Sequence, residues 1–532
     1  MIELPIIFES EFRGGLRPQA TGLASVNTVF LEDLAGMRVD EFGLEPQLLQ
    51  SDPFNGLLPV DWPYPQLYRG QDVSVLGERT AVKLVTEAST LWSTSSLTLY
   101  DTSNPLTNKA VTEGGVWHHA DVGNSWFMFN GSCTVFTTGL DPLVPQSQKY
   151  WINDSITIKT GCVHKGRVII GGLSSDVWSQ TMQEIFQQMK STINNDVITG
   201  FDDIGSNYVM WSSPGGGDFP LWLFMPLSYP ATYRPTYDRF FERLKRGQLG
   251  WFPCTFRGTV QVVRGLGNHL IAYGSDGTNA LTHTLGGEDV PAGYGAPHPV
   301  NDRLRWIGIY DRGSVAGSSS IHFFLDATGV LWSLDANLDL QRLGYEEYLL
   351  PFVSNSEKVV MTYDDLLGDL FISSDQRSFQ LTRNGLSRHN YRYPYFTNWK
   401  GTNYAGRHIP DIAETLYASL RTSRFDLGGR DHKTITAIEV ACQGGGTVEV
   451  ALQYKYNKED SWEQTDWVQV NPNGETMLRV QGLEFKLLVR ASDPTTFSLE
   501  RVIAKVQRGD RRFTRGPREG TRVARHAPQS LS

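Results

Sequence analysis

One phrase recurs along this chain and limits its fold more than any other feature. It is a short apolar or aromatic run, a tight turn rich in Asp, Asn, Gly or Ser, and a second such run. Residues 321–334 read IHFFLDATGVLWSL, with Asp326 and Gly329 at the turn; 359–382 carry two such turns, at 364–368 and 374–377. The phrase returns at 126–136 around Asn130-Gly131 and at 269–281 around Asp276-Gly277. Asx and Gly supply the left-handed or self-bonded backbone that a hairpin turn needs, so each copy predicts an antiparallel hairpin. Repeated small antiparallel units that cannot bury their faces alone predict radial stacking, a β-propeller of five or six irregular blades.

Composition agrees with a turn-rich β-protein: 52 of 532 residues are Gly, and 40% are hydrophobic, enough for large cores. A net charge of −9 argues against a general nucleic-acid binder. Cys133, Cys162, Cys254 and Cys442 are far apart with no Cys-x-x-Cys spacing, which predicts free thiols in a reducing compartment. The first residues lack a basic stretch followed by a long apolar run, and no run approaches the ~20 apolar residues of a membrane span. The expectation is synthesis in the cytoplasm.

Taken in order, residues 1–66 read as an extended arm that packs on another surface, ending in a segment with four Pro at 52–65. Residues 67–410 carry the propeller pattern, with strands expected at 81–85, 97–100, 156–171, 255–263 and 304–310. Two helices are expected inside it. One is at 176–190, with Trp178, Met182, Ile185, Phe186 and Met189 along one face; the other, at 236–246, stops at Gly247. Residues 411–507 change texture: six evenly spaced strands, with strict alternation of Val448, Val450, Leu452, Tyr454 and Tyr456, predict an antiparallel β-sandwich. Residues 508–532 form a polar tail with Arg508, Arg511, Arg512, Arg515, Arg518, Arg522 and Arg525 against Asp510 and Glu519. These arginines are the expected subunit or partner contacts.

The chemistry-bearing residues are few. His118-His119 with Asp121 is the densest polar knot. Neighbouring strand residues point to opposite faces, so the two imidazoles do not share a metal easily and a structural role is expected. The carboxylate pairs Asp202-Asp203, Glu346-Glu347 and Asp364-Asp365 are the material a glycosidase would draw on. The turn 326–332 resembles the Asp-box of sialidases without its leading Ser-x-Asp. There is no Gly-x-Ser-x-Gly elbow, no phosphate-binding Gly-rich loop and no third Gly after Gly265-Leu266-Gly267. The chain is read as a non-enzyme with no cofactor or metal site; the Arg508-Gly509-Asp510 tripeptide is read as chance.

Several phrases resemble the β-propeller tail nozzle, or tail hub, proteins of short-tailed bacteriophages. They are GVWHHADVGNSWFMFNGS at 115–132, VMWSSPGGGD at 209–218, GTVQVVRGLGNHLIAYG at 258–274, RLGYEEYL at 342–349, FISSDQRSFQLTRNGL at 371–386 and FDLGGRDHKTITAIEV at 425–440. The resemblance spans roughly residues 110–507. It implies a virion tail protein, a ring of identical subunits, six-fold by analogy, below portal and adaptor proteins. Tail fibres or spikes would dock outside, and DNA would pass only in transit. A net acidic body suits a channel through which DNA slides without binding. A glycan- or receptor-binding virion propeller is the alternative, and a propeller glycosidase a further one.

Overall fold

The computed structural model describes residues 3–8, 15–16, 31–47, the strands between 66 and 99 and between 118 and 153, 157–174, 205–214, 246, 248–284, 293–301, 306–374, 376–392, 396–399, 402–405, 409–410, 417–426 and 431–508. The chain is mainly β, arranged as several antiparallel sheets. The expected helices at 176–190 and 236–246 lie outside the described residues, save Arg246.

Among the described residues six short meanders follow one another, each pairing its strands in chain order. They begin at Gln66–Arg69, His118–Val122, Thr157–His164, Val260–Leu266, Val315–Gly317 and Val360–Asp364. A two-stranded unit, Phe396–Trp399 with Thr402–Ala405, comes next. The turns fall where Asx and Gly place them. The amide of Gly274 bonds the Gly277 carbonyl across 274–277, and that of Ser374 bonds the Arg377 carbonyl across 374–377. Gly329 takes φ +83 in the 326–329 turn.

Several of the first strands lie side by side. His118–Val122 adjoins Thr157–His164, which adjoins Val260–Leu266. Further on, Val315–Gly317 adjoins Val360–Asp364, which adjoins Phe396–Trp399, and that strand adjoins Gln66–Arg69, far back in sequence. Apolar cores fill the spaces between sheets. Ile169, Val209 and Trp211 pack with Val263, Leu270 and Leu281 between the third and fourth meanders. Ile271 and Tyr273 pack with Phe324, Trp332 and Leu334 between the fourth and fifth.

The C-terminal strands form two sheets; Glu475–Gly482 alternates in burial as period-2 patterning demands, whereas Glu484–Ala491 is buried at most positions. One sheet runs Met37–Val39, Leu44–Pro46, Ser498–Arg508, Lys433–Gln443, Glu475–Gly482, with Glu3–Phe8 also on Ser498–Arg508. The other runs Leu31–Ala35, Ala418–Thr422, Glu484–Ala491, Val448–Lys455, with two short strands at its edge. The arm therefore enters both sheets. It changes sheet at Gly36, whose φ of +72 is costly for any residue with a Cβ; a Cβ there would also stand 2.3 Å from Asn390 Nδ2.

The second sheet does not stop at the sandwich. Ala35 bridges Arg388 in parallel, so the strand order continues through Leu386–His389 into the 360–389 meander, and ten strands form one sheet. One core cluster joins Phe8, Leu31 and Leu34 of the arm to Leu370, Ile372 and Phe379 of the meander and to Ile435, Val450 and Val502 of the sandwich. The helix Glu346–Ser354 seats Leu349 and Phe352 in the same core.

Candidate interaction face

The polar side chains of this protein fasten one element to another. At the first strands, the Val263 amide donates to Thr160 Oγ1 at 3.0 Å, and that hydroxyl stands 3.0 Å from His118 Nδ1. One threonine thus ties three neighbouring strands. His118 has the structural partner expected of it; the side chains of His119 and Asp121 lie outside the described residues. Arg312 reaches the Lys159 carbonyl, and burial together with the Arg312 charge holds the Lys159 ammonium below its ordinary range.

Two buried histidines flank the fourth meander in the same way. His164 Nε2 donates to the Gly267 carbonyl at 3.2 Å, leaving Nδ1 to accept from Tyr294 Oη at 2.7 Å. His322 Nε2 donates to the Gly265 carbonyl at 3.1 Å, and its Nδ1 accepts from Tyr273 Oη at 2.9 Å. The carbonyl acceptors fix the tautomer, because only a protonated Nε2 can serve them. Burial pushes His164 down to about 4 and His322 to about 3. Burial likewise raises both tyrosines above their ordinary range.

Several described carboxylates, Glu346 and Asp364 of the expected pairs among them, are used within turns and clamps. Asp326 Oδ1 accepts the Thr328 and Val330 amides and the Thr328 hydroxyl, while Oδ2 accepts Trp332 Nε1 at 2.8 Å. Asp364 Oδ1 accepts the Leu366 and Leu367 amides. Glu346 and Glu347 sit in the first turn of the helix, where carboxylates suit the dipole, and Glu346 pairs with Arg342. Glu357 is buried between Arg377, at 2.9 Å, and the Ser374 hydroxyl, at 2.6 Å. Asp311, pushed up to about 6 by burial, accepts the Val359 amide. Asp202-Asp203 lies outside the described residues. Cys162, Cys254 and Cys442 are free thiols, with Cys162 pushed up to about 12 by burial; Cys133 lies outside the described residues.

The strongest fastening is at the arm. Arg38 meets Asp369, a buried carboxylate, with Nε to Oδ2 at 2.8 Å and Nη2 to Oδ1 at 3.3 Å, and Gln380 Nε2 completes that carboxylate at 2.9 Å. Glu32 takes Lys486 at 2.6 Å and Arg421 at 3.5 Å. The outer face of the second sandwich sheet carries aromatic clamps: Arg490 lies 4.2 Å from the Trp467 ring centre and 5.1 Å from that of Tyr417, and Lys486 lies 4.9 Å from Trp462. Of the seven arginines expected to make contacts, Arg508 is described by its backbone alone, in register with Lys433 at the end of the last strand. Arg511, Arg512, Arg515, Arg518, Arg522 and Arg525 lie outside the described residues. Residue patterning missed the arm's clamps and the histidine links, whose partners are far apart in sequence.

Among the described residues no three or more His, Cys, Asp or Glu are grouped to hold a metal ion, and no helix is long and apolar enough to cross a membrane.

No protein-family model matches this chain, and no curated protein does. Three similar solved structures are bacterial. PorZ, a surface component of the type-IX secretion system of Porphyromonas gingivalis, is 10% identical, with 64% of this chain and 35% of that one covered and a TM-score of 0.34. The extracellular domain of the putative hybrid two-component system BT4673 of B. thetaiotaomicron is 8% identical, covering 74% and 43%, with a TM-score of 0.36. Apo AztD of Citrobacter koseri is 8% identical, covering 79% and 89%, with a TM-score of 0.32. The chain spans less than half the length of the first two. Similarity at this level assigns neither fold nor function.

Proposed function

We propose that this chain is a structural protein of a short phage tail, a ring-forming nozzle or hub. In this reading the meanders are the blades of a propeller. Counted by first strands there are seven units among the described residues, against the five or six that the turn spacing suggests. The return of Phe396–Trp399 to Gln66–Arg69 supports radial closure, since it lays a late strand beside an early one. The basic tail contacts a neighbouring subunit or adaptor, and DNA passes through the ring only in transit.

The observation that carries the reading, beside the resemblance in sequence, is the ten-stranded sheet that welds the 360–389 meander to the sandwich through Leu31–Ala35. A module that only presents a ligand site can hang on a linker. A subunit that transmits load between a portal and a fibre needs its two parts as one body, and the Arg38–Asp369 clamp and the common core serve that need. The alternative, a glycan-binding virion protein, draws on the Trp462, Trp467 and Tyr417 face, although cations already stack on those rings.

Native mass spectrometry of the purified chain, alone and with portal and adaptor proteins, tests the proposal. A closed ring in either condition supports it. A monomer in both, with a positive glycan array, replaces it with the alternative.

A further inference from the structure

The segment Gly265-Leu266-Gly267, which matches no phosphate-binding motif, is where two latches of the same construction meet. His164 of the third meander puts Nε2 on the Gly267 carbonyl, and its Nδ1 takes the Tyr294 hydroxyl. His322 of the fifth puts Nε2 on the Gly265 carbonyl, and its Nδ1 takes the Tyr273 hydroxyl. Tyr273 lies in His269–Gly274, and Tyr294 pairs with His283 at the edge of the same sheet. In both latches, then, a neighbouring meander supplies the imidazole and the fourth supplies both its partners. The glycines leave room for the rings: a Cβ at 265 would stand 2.4 Å from His164 Cδ2. Both imidazoles are buried.

The groups acting most strongly on the two rings are cations, other imidazoles and backbone carbonyls. His164 faces Lys165 of its own turn and His269 and His283 of the fourth meander, the His283 ring standing edge-on at 6.4 Å. Arg167 acts on His283 and Tyr294 from the next strand, and His298 acts on His269. His322 faces Arg264 and, across the glycine segment, His164. The described carboxylates close by are engaged in turns. Asp276 takes the Gly258 amide at the far end of His269–Gly274, and Asp335 takes the Asn337 and Asp339 amides in the turn whose Ala336 adjoins Gly267.

We propose that the fourth meander is an acid-released unit: protonation of His164 and His322 frees residues 260–284 from the neighbours on both sides while the C-terminal sheets stay closed. A protonated ring has no acceptor nitrogen left for its tyrosine, and it sets a charge beside Lys165 or Arg264 where little water screens it. Closed, the rings stay neutral down to about 4 and about 3; freed, they take a proton near 6.5. Release therefore grows as pH falls from 6.5 toward 4, by on the order of tenfold for each latch at pH 5. The Thr160–Val263 and Gly267–Ser319 bonds and the apolar cores also hold the unit, but they do not titrate in this window. The inference stands apart from the ring reading.

Hydrogen exchange of the full chain at pH 7.5 and pH 5, each corrected for the intrinsic rate at that pH, tests it. Protection of the amides in 260–284 should fall at least tenfold at pH 5, with 435–440 and 499–506 unchanged. His164→Gln and His322→Gln keep a donor for the glycine carbonyl and an acceptor for the tyrosine but bind no proton. Each should remove part of the loss, and the double variant nearly all of it. Lys165→Asn leaves both latches whole, at a turn position whose φ of +50 Asn tolerates, and should move release to lower pH. Loss shared equally with the C-terminal sheets is global unfolding and overturns the inference. So does protection unchanged at pH 5, or a loss that neither the glutamine variants nor Lys165→Asn alters.

Discussion

Asp326 shows how a single side chain here organises many others. Its carboxylate satisfies two amides, a hydroxyl and an indole inside a turn that the letters D-A-T-G-V-L-W already announce. Asp326→Ala leaves those donors without their acceptor; each buried donor costs about 1–3 kcal/mol, so urea denaturation should show a loss of roughly 3 kcal/mol or more. This turn was legible because its chemistry is local. The histidine links were not, since His164 and Tyr294 are 130 positions apart and only the packed sheets bring them together. They carry a pH prediction. Both imidazoles stay neutral when folded, to about 4 and about 3, whereas the unfolded chain protonates them near 6.5. Between those limits the unfolded state binds more protons, so stability falls as pH drops from 6.5 toward 4 and is fully present above it. The groups around them offer no relief: Lys165 and His283 face His164, and Arg264 faces His322. His322→Gln should flatten that slope in denaturant titrations at pH 4–7; an unchanged slope would contradict the link.

Among elements, the C-terminal strands were the most legible as strands, and Glu475–Gly482 alternates in burial; the alternation expected from Val448 to Tyr456 is only partly kept, since Ala451 is buried between Val450 and Leu452 and Tyr456 is exposed. The arm was legible only as something that packs elsewhere. Nothing local in Leu31–Ala35 says that it lies between Leu386–His389 and Ala418–Thr422, a pairing across hundreds of residues. The helix Glu346–Ser354 escaped notice because it buries only Leu349 and Phe352 and contains Pro351. The arm's importance is measurable. Arg38→Ala strands the buried Asp369 carboxylate, and losing one partner of such a pair costs about 3–5 kcal/mol. Gly36→Ala forces a side chain into left-handed backbone and against Asn390, adding strain of about 1–3 kcal/mol. Hydrogen exchange should then show early opening of both Leu31–Ala35 and the neighbouring 386–389 strand in each variant. Opening confined to the arm would mean that the shared sheet is not cooperative.

For the whole molecule, the described sheets, cores and clamps join the 360–389 meander, the arm and the C-terminal sheets through one core. That continuity is what a subunit carrying load between its neighbours would need. The mass of the assembled particle tests this most directly. Native mass spectrometry of the full chain, alone and on purified portal and adaptor proteins, should give a closed ring of one defined size, and removal of residues 509–532 should weaken that assembly. A chain that remains monomeric in both conditions contradicts the account.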